Sequence, residues 1–343
     1  MSQEPQIAVV GATGAVGQEL LAALAADGHP PRAISAFASE RSAGRELEFG
    51  AETISVEQAA ADSFRGVKLA YFATPAEVSR TLATAAQKEG AWAVDLSPAF
   101  RLEPAVPLIL PAVNLAAARE PFHGRIVSCP SAVTTALVTT LEPLRARFGV
   151  ERAFATALLG VSSAGAAGLD ELQQQTIELL SGREPEVGRF PHRIGFNLIP
   201  QVGDFSRNPD WSSEELGWND ESERIWSAVG RVEIRGTAIQ APLFYGHLLS
   251  LDVQLASAAA TSDVRAALKA SSHLKLLDNP IERIYPMPML VSGDPTVHVG
   301  RIRELPGSRS SFALVIAVDN ARRGAALNAI EVGQALLSRN EAA

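Results

Sequence analysis

The chain has only one cysteine, Cys129, in 343 residues. A single cysteine excludes an internal disulfide, which favours a reducing compartment such as the cytoplasm. No apolar run approaches the roughly 18 residues that a membrane-spanning helix requires. The N-terminus, MSQEPQIAVV, lacks a basic region followed by a long apolar one, so no signal peptide is expected. We therefore expect a cytoplasmic protein without a membrane partner.

The chain also lacks an excess of positive charge. Lys and Arg number 30 against 38 Asp and Glu, and the net charge of −8 is spread along the chain. A nucleic-acid partner would favour basic patches, so none is expected. The sequence also lacks internal repeats and low-complexity segments. Because 47% of the residues are hydrophobic, a chain of this length can fill two cores.

The N-terminal segment carries a glycine pattern at a predicted strand-to-helix turn. Gln6–Val10 is a short β-rich run, Gly11, Gly14 and Gly17 follow it, and QELLAALAADG then has helical apolar spacing. Such glycines allow a tight turn, let the backbone approach a pyrophosphate and let helix and strand pack closely. The pattern predicts a dinucleotide-binding loop, the alternative being a glycine-rich turn without a ligand.

The next predicted strand, Ala33–Ala38, ends in Ser39, Glu40, Arg41 and Ser42. An NAD site usually offers a carboxylate at this point for the ribose hydroxyl. An arginine flanked by two serines suits a 2′-phosphate instead, because a guanidinium pairs with phosphate in a bidentate fork. A Glu40 carboxylate that pointed inward would repel that phosphate. The segment therefore favours NADP, while NAD also fits.

Further strands are predicted over Lys68–Ala73 and Ala91–Asp95, with the helical segment SRTLATAAQKEG between them. The alternation of strands and helices to about residue 130 predicts a Rossmann-like, doubly wound parallel sheet. Arg101 follows in a short loop at a strand's carboxyl edge, where such sheets bind anionic ligands. The alternative for Arg101 is a solvated surface arginine.

The pattern changes after the predicted helix Val133–Phe148. Strands are predicted here without regular helices between them, over Phe154–Val161, Arg231–Ile239, Leu248–Ala256 and Phe312–Val318. This arrangement indicates an α+β domain on a mixed or antiparallel sheet. Residues 183–226 are expected to hold only short elements. A last helix, Gly324–Leu337, would return to the first domain. We expect domains of 1–132, completed by 320–343, and 133–319.

The stretch Arg125–Leu144 holds the single cysteine just before a predicted helix. A small residue at a helix N-terminus is where nucleophilic enzymes often place an activated Cys or Ser, because the helix dipole stabilises the anion. Cys129 is followed by a proline, which favours extended backbone. The alternatives for this thiol are a nucleophile and a buried, inert side chain.

Nine segments, taken in order, resemble the aspartate-semialdehyde dehydrogenase family along nearly the whole chain. They are VVGATGAVG, SERSAG, PAFRLEPAVPLILPAVN, AGLDELQQQT, FPHRIGFNLIP, PLFYGH, YPMP, VGRIR and AVDNARRGAALNAI. The resemblance implies an NADPH-dependent oxidoreductase of amino-acid biosynthesis that reduces aspartyl β-phosphate through a cysteine thioester. It also implies a homodimer formed through the second domain. The N-acetyl-glutamyl-phosphate reductases share the mechanism, but FPHRIGFNLIP and SERSAG resemble the aspartate branch more.

The resemblance assigns roles to residues of this chain. Its cofactor positions are Gly11, Thr13, Gly14, Ala15, Val16 and Gly17 in the phosphate loop, Ser39, Arg41 and Ser42 at the adenosine phosphate, and Ser162, Ser163 and Asn320 near the nicotinamide. Its substrate positions are Arg101 for the phosphate, Glu215 for the amino group and His247 as the acid–base. No metal site is implied.

The chain departs from the family pattern at the reacting centre. The family's nucleophilic cysteine corresponds to Ala132, its glutamine beside the thioester carbonyl to Leu159, its substrate-carboxylate arginine to Gln240 and a phosphate-binding lysine to Gly217. Cys129 stands three residues upstream of the nucleophile position. Because alanine forms no thioester, the pattern resembles a divergent, Usg-type paralogue that binds NADP(H) and a small-molecule ligand without reducing aspartyl phosphate. The alternative is an active oxidoreductase with altered chemistry or with Cys129 as the nucleophile.

Overall fold

The computed structural model describes residues 6–227 and 230–341, which form two compact units. The first unit comprises the described residues up to Ser131 together with those from Ala325 onward, and the second comprises Ala132–Gly324. The strands are β1 (Ile7–Val10), β2 (Ile34–Ala38), β3 (Glu46–Phe49), β4 (Glu52–Gln58), β5 (Leu69–Phe72), β6 (Trp92–Asp95), β7 (Ile126–Ser128), β8 (Val150–Leu159), β9 (Glu233–Gln240), β10 (His247–Leu255), β11 (Leu274–Leu276), β12 (Val297–Glu304) and β13 (Ser311–Val318). The helices are α1 (Ala15–Ala26), α2 (Ala76–Lys88), α3 (Pro111–Asn114), α4 (Ala132–Phe148), α5 (Ala166–Leu180), α6 (Ser213–Ile225), α7 (Thr261–Lys269), α8 (Pro288–Val291) and α9 (Leu327–Glu341).

The first unit is built on a seven-stranded sheet in the order β3-β4-β2-β1-β5-β6-β7. Every pairing is parallel except the one between β3 and β4. The central strands β1, β5 and β6 are buried along their whole length, because apolar clusters cover both faces of the sheet. Helices α1 and α9 contribute to one cluster and α2 to the other. The predicted doubly wound, Rossmann-like sheet is confirmed.

The second unit is built on a six-stranded mixed sheet in the order β11-β12-β13-β10-β8-β9. The β8–β9 and β11–β12 pairs are parallel, whereas the three pairs between them are antiparallel. Buried and exposed residues alternate along β8 to β10, and α4, α6 and α7 pack on the buried side. The predicted α+β class of this unit is confirmed.

Several elements differ from the predictions. The segment 183–226 was expected to hold only short elements, yet α6 spans 13 residues there. Strands β3, β4, β11 and β12 were not predicted. Strands β3 and β4 each carry two glutamates, and a register shift interrupts β12. The last helix begins at Leu327 rather than Gly324, because a π-helical turn, Arg322–Ala326, precedes it. None of the described helices is long and apolar enough to cross a membrane.

Candidate functional site

The glycine loop of the first unit has two positions that exclude any side chain. Gly11 has a φ of 86°, and a β-carbon there would lie 2.2 Å from the Ala73 carbonyl oxygen. A β-carbon on Gly17 would lie 2.1 Å from the Gly11 carbonyl oxygen. A β-carbon on Gly14 would meet nothing closer than 3.4 Å, which is ordinary contact. Packing within this unit therefore requires glycine at positions 11 and 17 but not at position 14.

Helix α1 begins directly after Gly14, which caps it without a side-chain hydrogen bond. The first backbone N–H groups of a helix have no partner within the helix, and the helix dipole favours negative charge near them. This end of α1 has the donor set that a pyrophosphate requires, with Ala15, Val16 and Gly17 as the first residues of the helix.

A cavity of about 530 Å³ lies beside this loop. It brings the glycine loop together with the end of β2, and it is lined by Val10, Gly11, Thr13, Gly14, Ala38, Ser39, Glu40, Arg41, Gln58, Ala59, Ala73, Thr74, Pro75, Val78 and Leu82. Ser42 is in the adjoining turn but outside the lining. The sequence reasoning missed Gln58 and Val78, because they lie on β4 and α2, whose position next to β2 depends on strand order. The volume is that of a pocket for a small molecule or cofactor.

Arg101 connects two loops of the first unit. Its Nε donates to the Cys129 carbonyl oxygen at 3.1 Å, and its Nη2 donates to the Leu96 carbonyl oxygen at 2.8 Å. These bonds tie the segment after β6 to the segment after β7. The structure therefore gives Arg101 a bracing role, and anion binding by this residue remains a prediction.

Cys129 is buried, with 1% of its surface exposed. Burial raises the pKa of its thiol to about 12, and the nearby Asp95 carboxylate adds to the effect. Asp95 is itself buried and accepts hydrogen bonds from the backbone N and the hydroxyl of Ser97 at 3.2 and 3.0 Å. Burial outweighs these bonds and raises the pKa of Asp95 to about 6. This environment disfavours a thiolate at Cys129.

In the second unit, three predicted site residues lie side by side on neighbouring strands. His247 on β10 pairs with Leu159 on β8, and Leu159 pairs with Gln240 on β9. We call His247, Leu159 and Gln240 the neutral row; each is at most 3% exposed. Gln240 Nε2 donates to the Leu159 carbonyl oxygen at 2.7 Å. Burial lowers the pKa of His247 to about 4, so the imidazole is uncharged at neutral pH.

Asn320 fixes the turn that precedes His247. Its Oδ1 accepts hydrogen bonds from the Ser162 hydroxyl at 3.1 Å and from the Gly246 backbone N at 3.0 Å. Ser163 donates instead to the Gly160 carbonyl oxygen at 2.9 Å. The structure therefore brings Ser162, Asn320 and His247 together, although they are far apart in sequence. Their contact with a nicotinamide remains a prediction.

Glu215 stands in the first turn of α6, where it completes a capping box with Ser212. Its Oε2 accepts from the Ser212 backbone N at 2.9 Å, and its Oε1 accepts from the Ala238 backbone N at 3.0 Å. The side chain thus joins α6 to β9, two residues before Gln240. Gly217 lies on the same helix, where a β-carbon would make ordinary contact with Glu221 at 3.5 Å.

Ala132 is the first residue of α4 and is half-buried. It therefore presents a methyl group at the N-terminus of a helix of 17 residues. A β-carbon on Gly324 would lie 2.8 Å from the Ala132 β-carbon, so backbone packs closely against this alanine. Within the described ranges, no group of three or more His, Cys, Asp and Glu side chains is placed to hold a metal ion.

Comparison with known proteins assigns a family to both units. Residues 6–120 match the family model described as "Semialdehyde dehydrogenase, NAD binding domain", and residues 141–323 match "Semialdehyde dehydrogenase, dimerisation domain". The chain is 33% identical to the aspartate-semialdehyde dehydrogenase of Bacillus subtilis over 99% of each chain. It is 32% identical to that of Rickettsia typhi over 98% of this chain and 99% of the other.

Solved structures agree with these sequence matches. Aspartate semialdehyde dehydrogenase II of Vibrio cholerae, complexed with ASA, has a TM-score of 0.91 at 30% identity over 98% of this chain and 99% of that one. A probable aspartate-semialdehyde dehydrogenase of Pseudomonas aeruginosa has a TM-score of 0.89 at 34% identity over the same shares. The predicted fold class and nicotinamide-dinucleotide-binding domain are confirmed, and the chain belongs to the aspartate-semialdehyde dehydrogenase family.

Proposed function

We propose that this family member binds NADP(H) but does not reduce aspartyl phosphate. The observation that carries the proposal is Ala132 at the N-terminus of α4, the position where the family resemblance implies a cysteine. A methyl group cannot attack an acyl phosphate, so no thioester forms there. Cys129 does not replace it, because its thiol is buried and its pKa is raised to about 12.

The cofactor half of the proposal rests on the first unit. The N-terminus of α1 supplies backbone donors for a pyrophosphate, and Gly14 leaves space for it. Arg41 lines the same cavity and offers a guanidinium to a 2′-phosphate. Glu40 also lines it, which reduces the preference for NADP over NAD. A bound nicotinamide would exchange hydride with a ligand.

The ligand half rests on the second unit. We propose that the neutral row and Glu215 contact the small-molecule ligand, with Asn320 and Ser162 beside the nicotinamide. Asn320 holds the Gly246–His247 turn in place for this purpose. Because His247 is uncharged at neutral pH, it contributes a neutral hydrogen-bonding group rather than a cation.

Two measurements test the proposal. A thermal-shift titration of the purified chain with NADPH should raise the melting temperature with cofactor concentration. Absorbance at the nicotinamide band should show no turnover of aspartate semialdehyde with NADP and phosphate. Enzyme-like turnover would overturn the proposal in favour of an active oxidoreductase. In that case Cys129→Ala and His247→Ala would establish whether either side chain supports the reaction.

We also propose a homodimer formed through the second unit, which matches a dimerisation-domain model. Large apolar side chains are exposed here, including Leu180 at 75%, Phe196 at 64% and Phe154 at 53%. Self-association would remove such side chains from water. Light scattering coupled to size exclusion should give twice the chain mass. Phe154→Arg or Phe196→Asp should shift it towards the monomer, whereas a monomeric parent chain would refute the homodimer.

A further inference from the structure

A hydrogen-bond network runs from the wall of the cofactor cavity into the interior of the first unit. Thr74 lines the cavity, and its Oγ1 lies 2.8 Å from the Oγ of Ser79 on α2. The Ser79 hydroxyl also hydrogen-bonds the carboxyl group of Asp95, at the end of β6. Ser79 and Asp95 are fully buried, so neither contacts bulk water. We call these residues the Thr74–Ser79–Asp95 network.

Thr74 stands directly beside the glycine loop. A β-carbon on Gly11 would lie 3.1 Å from the Thr74 Cγ2. Helix α1 begins at the same loop, where its backbone donors suit a pyrophosphate. A pyrophosphate offers acceptor oxygens and no donor at neutral pH. A Thr74 hydroxyl that donates would therefore stabilise a cofactor here, whereas one that presents only lone pairs would not.

The single proton of the Ser79 hydroxyl couples the two ends of this network. A serine hydroxyl donates once and has two lone pairs, and an ionised carboxylate only accepts. An ionised Asp95 therefore takes the Ser79 proton, and Ser79 accepts the proton of Thr74. A protonated Asp95 donates to Ser79 instead. Ser79 then donates to Thr74, and the Thr74 proton becomes free to point into the cavity.

Ser97 occupies the other side of the Asp95 carboxyl group. It donates its backbone N–H at 3.2 Å and its hydroxyl at 3.0 Å to Asp95, and its Oγ accepts from the Ala99 N–H at 3.0 Å. If Asp95 donated to Ser97, the hydroxyl proton of Ser97 would lose its acceptor. The proton of a neutral Asp95 is therefore better placed on Ser79.

The groups around Asp95 put its ionisation close to neutral pH. Burial raises the pKa of Asp95 to about 6, while its serine hydrogen bonds and the charge of Arg101 act in the opposite direction. The Cys129 thiol, with a pKa raised to about 12, stays neutral across this range. Arg80 of α2 is paired with Glu103 at 3.1 Å. A modest change of pH therefore changes the charge of Asp95.

We propose that Asp95 is a positioning residue for the cofactor: acting through Ser79, it decides whether Thr74 donates a hydrogen bond into the cavity, so that cofactor binding takes up a proton at Asp95. This inference rests on the proposed function, which puts NADP(H) in this cavity. The proton comes from water, the hydroxyl protons of Ser79 and Thr74 turn to new acceptors, and no other bond forms or breaks. Affinity for the cofactor should consequently rise as pH falls through about 6.

The pH dependence of NADPH affinity tests the inference. NADPH is titrated calorimetrically into the native chain and into Ser79→Ala from about pH 8 to about pH 5.5, in two buffers with different ionisation enthalpies. One hydrogen bond gained corresponds to about a fivefold gain in affinity. Because Asp95 is mostly but not wholly protonated at about pH 5.5, the native chain should gain about fourfold more affinity than Ser79→Ala. It should also take up more protons on binding.

Further variants locate the effect in the network. Thr74→Val removes the hydroxyl at the cavity and keeps the shape of the side chain, and Asp95→Asn removes the group that titrates. Both should lose the extra gain in affinity and the extra proton uptake, whereas Thr74→Ser should keep them. The 2′-phosphate of NADPH titrates in the same range. It does so with every variant, so differences between variants isolate the network.

The outcomes separate this inference from the proposed function. If NADPH binds and the native chain has the same pH dependence as Ser79→Ala, the inference is wrong and the proposed function stands. Retention of the extra gain in Thr74→Val or Asp95→Asn would also overturn the inference. Absence of NADPH binding at every pH would overturn the proposed function and the inference with it.

Discussion

The glycine loop of the first unit and the neutral row of the second differ in what fixes their residues. At Gly11 and Gly17 a β-carbon would collide with backbone carbonyl oxygens, so glycine is required by packing whether or not a cofactor binds. In the neutral row, His247, Leu159 and Gln240 are side chains on regular strands, and no backbone feature demands their identity. The side chains of the row can therefore change without a clash with backbone, whereas Gly11 and Gly17 of the loop cannot. Packing does not require glycine at position 14, so a glycine there is better explained by the approach of a ligand.

The largest expected effect on stability comes from substitutions in the glycine loop, where two variants distinguish a packing role from a ligand-binding role. Gly17→Ala should lower the free energy of unfolding by about 3 kcal/mol, because the new β-carbon would overlap the Gly11 carbonyl. Gly14→Ala should cost less than about 1 kcal/mol, since it only weakens an N-cap. It should nevertheless weaken NADPH binding, because its methyl group would occupy the space of the pyrophosphate. Urea unfolding and NADPH titration of both variants check this contrast. Equal destabilisation would refute it.

The two units should respond oppositely to pH. Asp95 has a raised pKa of about 6 against an unperturbed 3.8, so its burial makes the folded state lose stability as pH rises from about 4 to 6. His247 has a lowered pKa of about 4 against 6.5, so the folded state loses stability as pH falls from about 6.5 to 4. Each shift corresponds to about 3 kcal/mol, and the two largely cancel between pH 4 and 6.

Removing one of these two groups should reveal the pH dependence of stability that is due to the other. Asp95→Asn should leave a chain whose free energy of unfolding falls by about 2–3 kcal/mol as pH is lowered from 6.5 to 4. His247→Gln should show the opposite slope over the same range. Urea titrations at half-unit pH steps measure both. A flat profile in Asp95→Asn would show that His247 does not titrate as described. A flat profile in His247→Gln would show the same for Asp95.

Substitution of the charged residues at the cofactor cavity should have a smaller effect, on the affinity for NADPH. Arg41→Ala should weaken NADPH binding about tenfold, or about 1.4 kcal/mol, and leave NADH binding nearly unchanged, because only NADPH has the 2′-phosphate. Glu40→Gln is the matched control and should strengthen NADPH binding slightly by removing a repulsive charge. Calorimetric titration with both cofactors checks the pair. Loss of affinity for NADH in Arg41→Ala would point to a structural role instead.

The smallest expected effect concerns the site of the missing nucleophile. Ala132→Cys should give a thiol whose pKa is lower by about half a unit than that of an exposed helix-interior cysteine such as Gln173→Cys, because the N-terminus of α4 stabilises the thiolate by about 0.7 kcal/mol. The pH dependence of iodoacetamide alkylation measures this. The same variant should still not turn over aspartate semialdehyde, since the neutral row is unchanged. Turnover would show that Ala132 alone accounts for the loss of activity towards aspartate semialdehyde.

Strands that are apolar throughout, or in which apolar and polar residues alternate regularly, could be predicted from the sequence. Elements with few apolar residues or an irregular apolar spacing were missed. Helix α6 contains Gly217 and few apolar residues, although its capping box, Ser212 and Glu215, was a usable signal. Strand β12 is interrupted at Arg301, which has a φ of 55°. The members of the neutral row could be named by resemblance, but their adjacency depends on the register of three strands. The hydrophobic pattern decides which face of each strand is buried, but which strands lie side by side depends on pairing between segments that are far apart in sequence.

The burial of Cys129 has a practical consequence for experiments on this protein. A thiol that is 1% exposed, with a pKa of about 12, does not react with maleimides and iodoacetamides at neutral pH. The native chain therefore already serves as a cysteine-free background for attaching probes. A single cysteine introduced at position 132 or 173 could carry a fluorophore or spin label without removal of the native one. Ligand binding could then be followed from a chosen position in an otherwise unmodified chain.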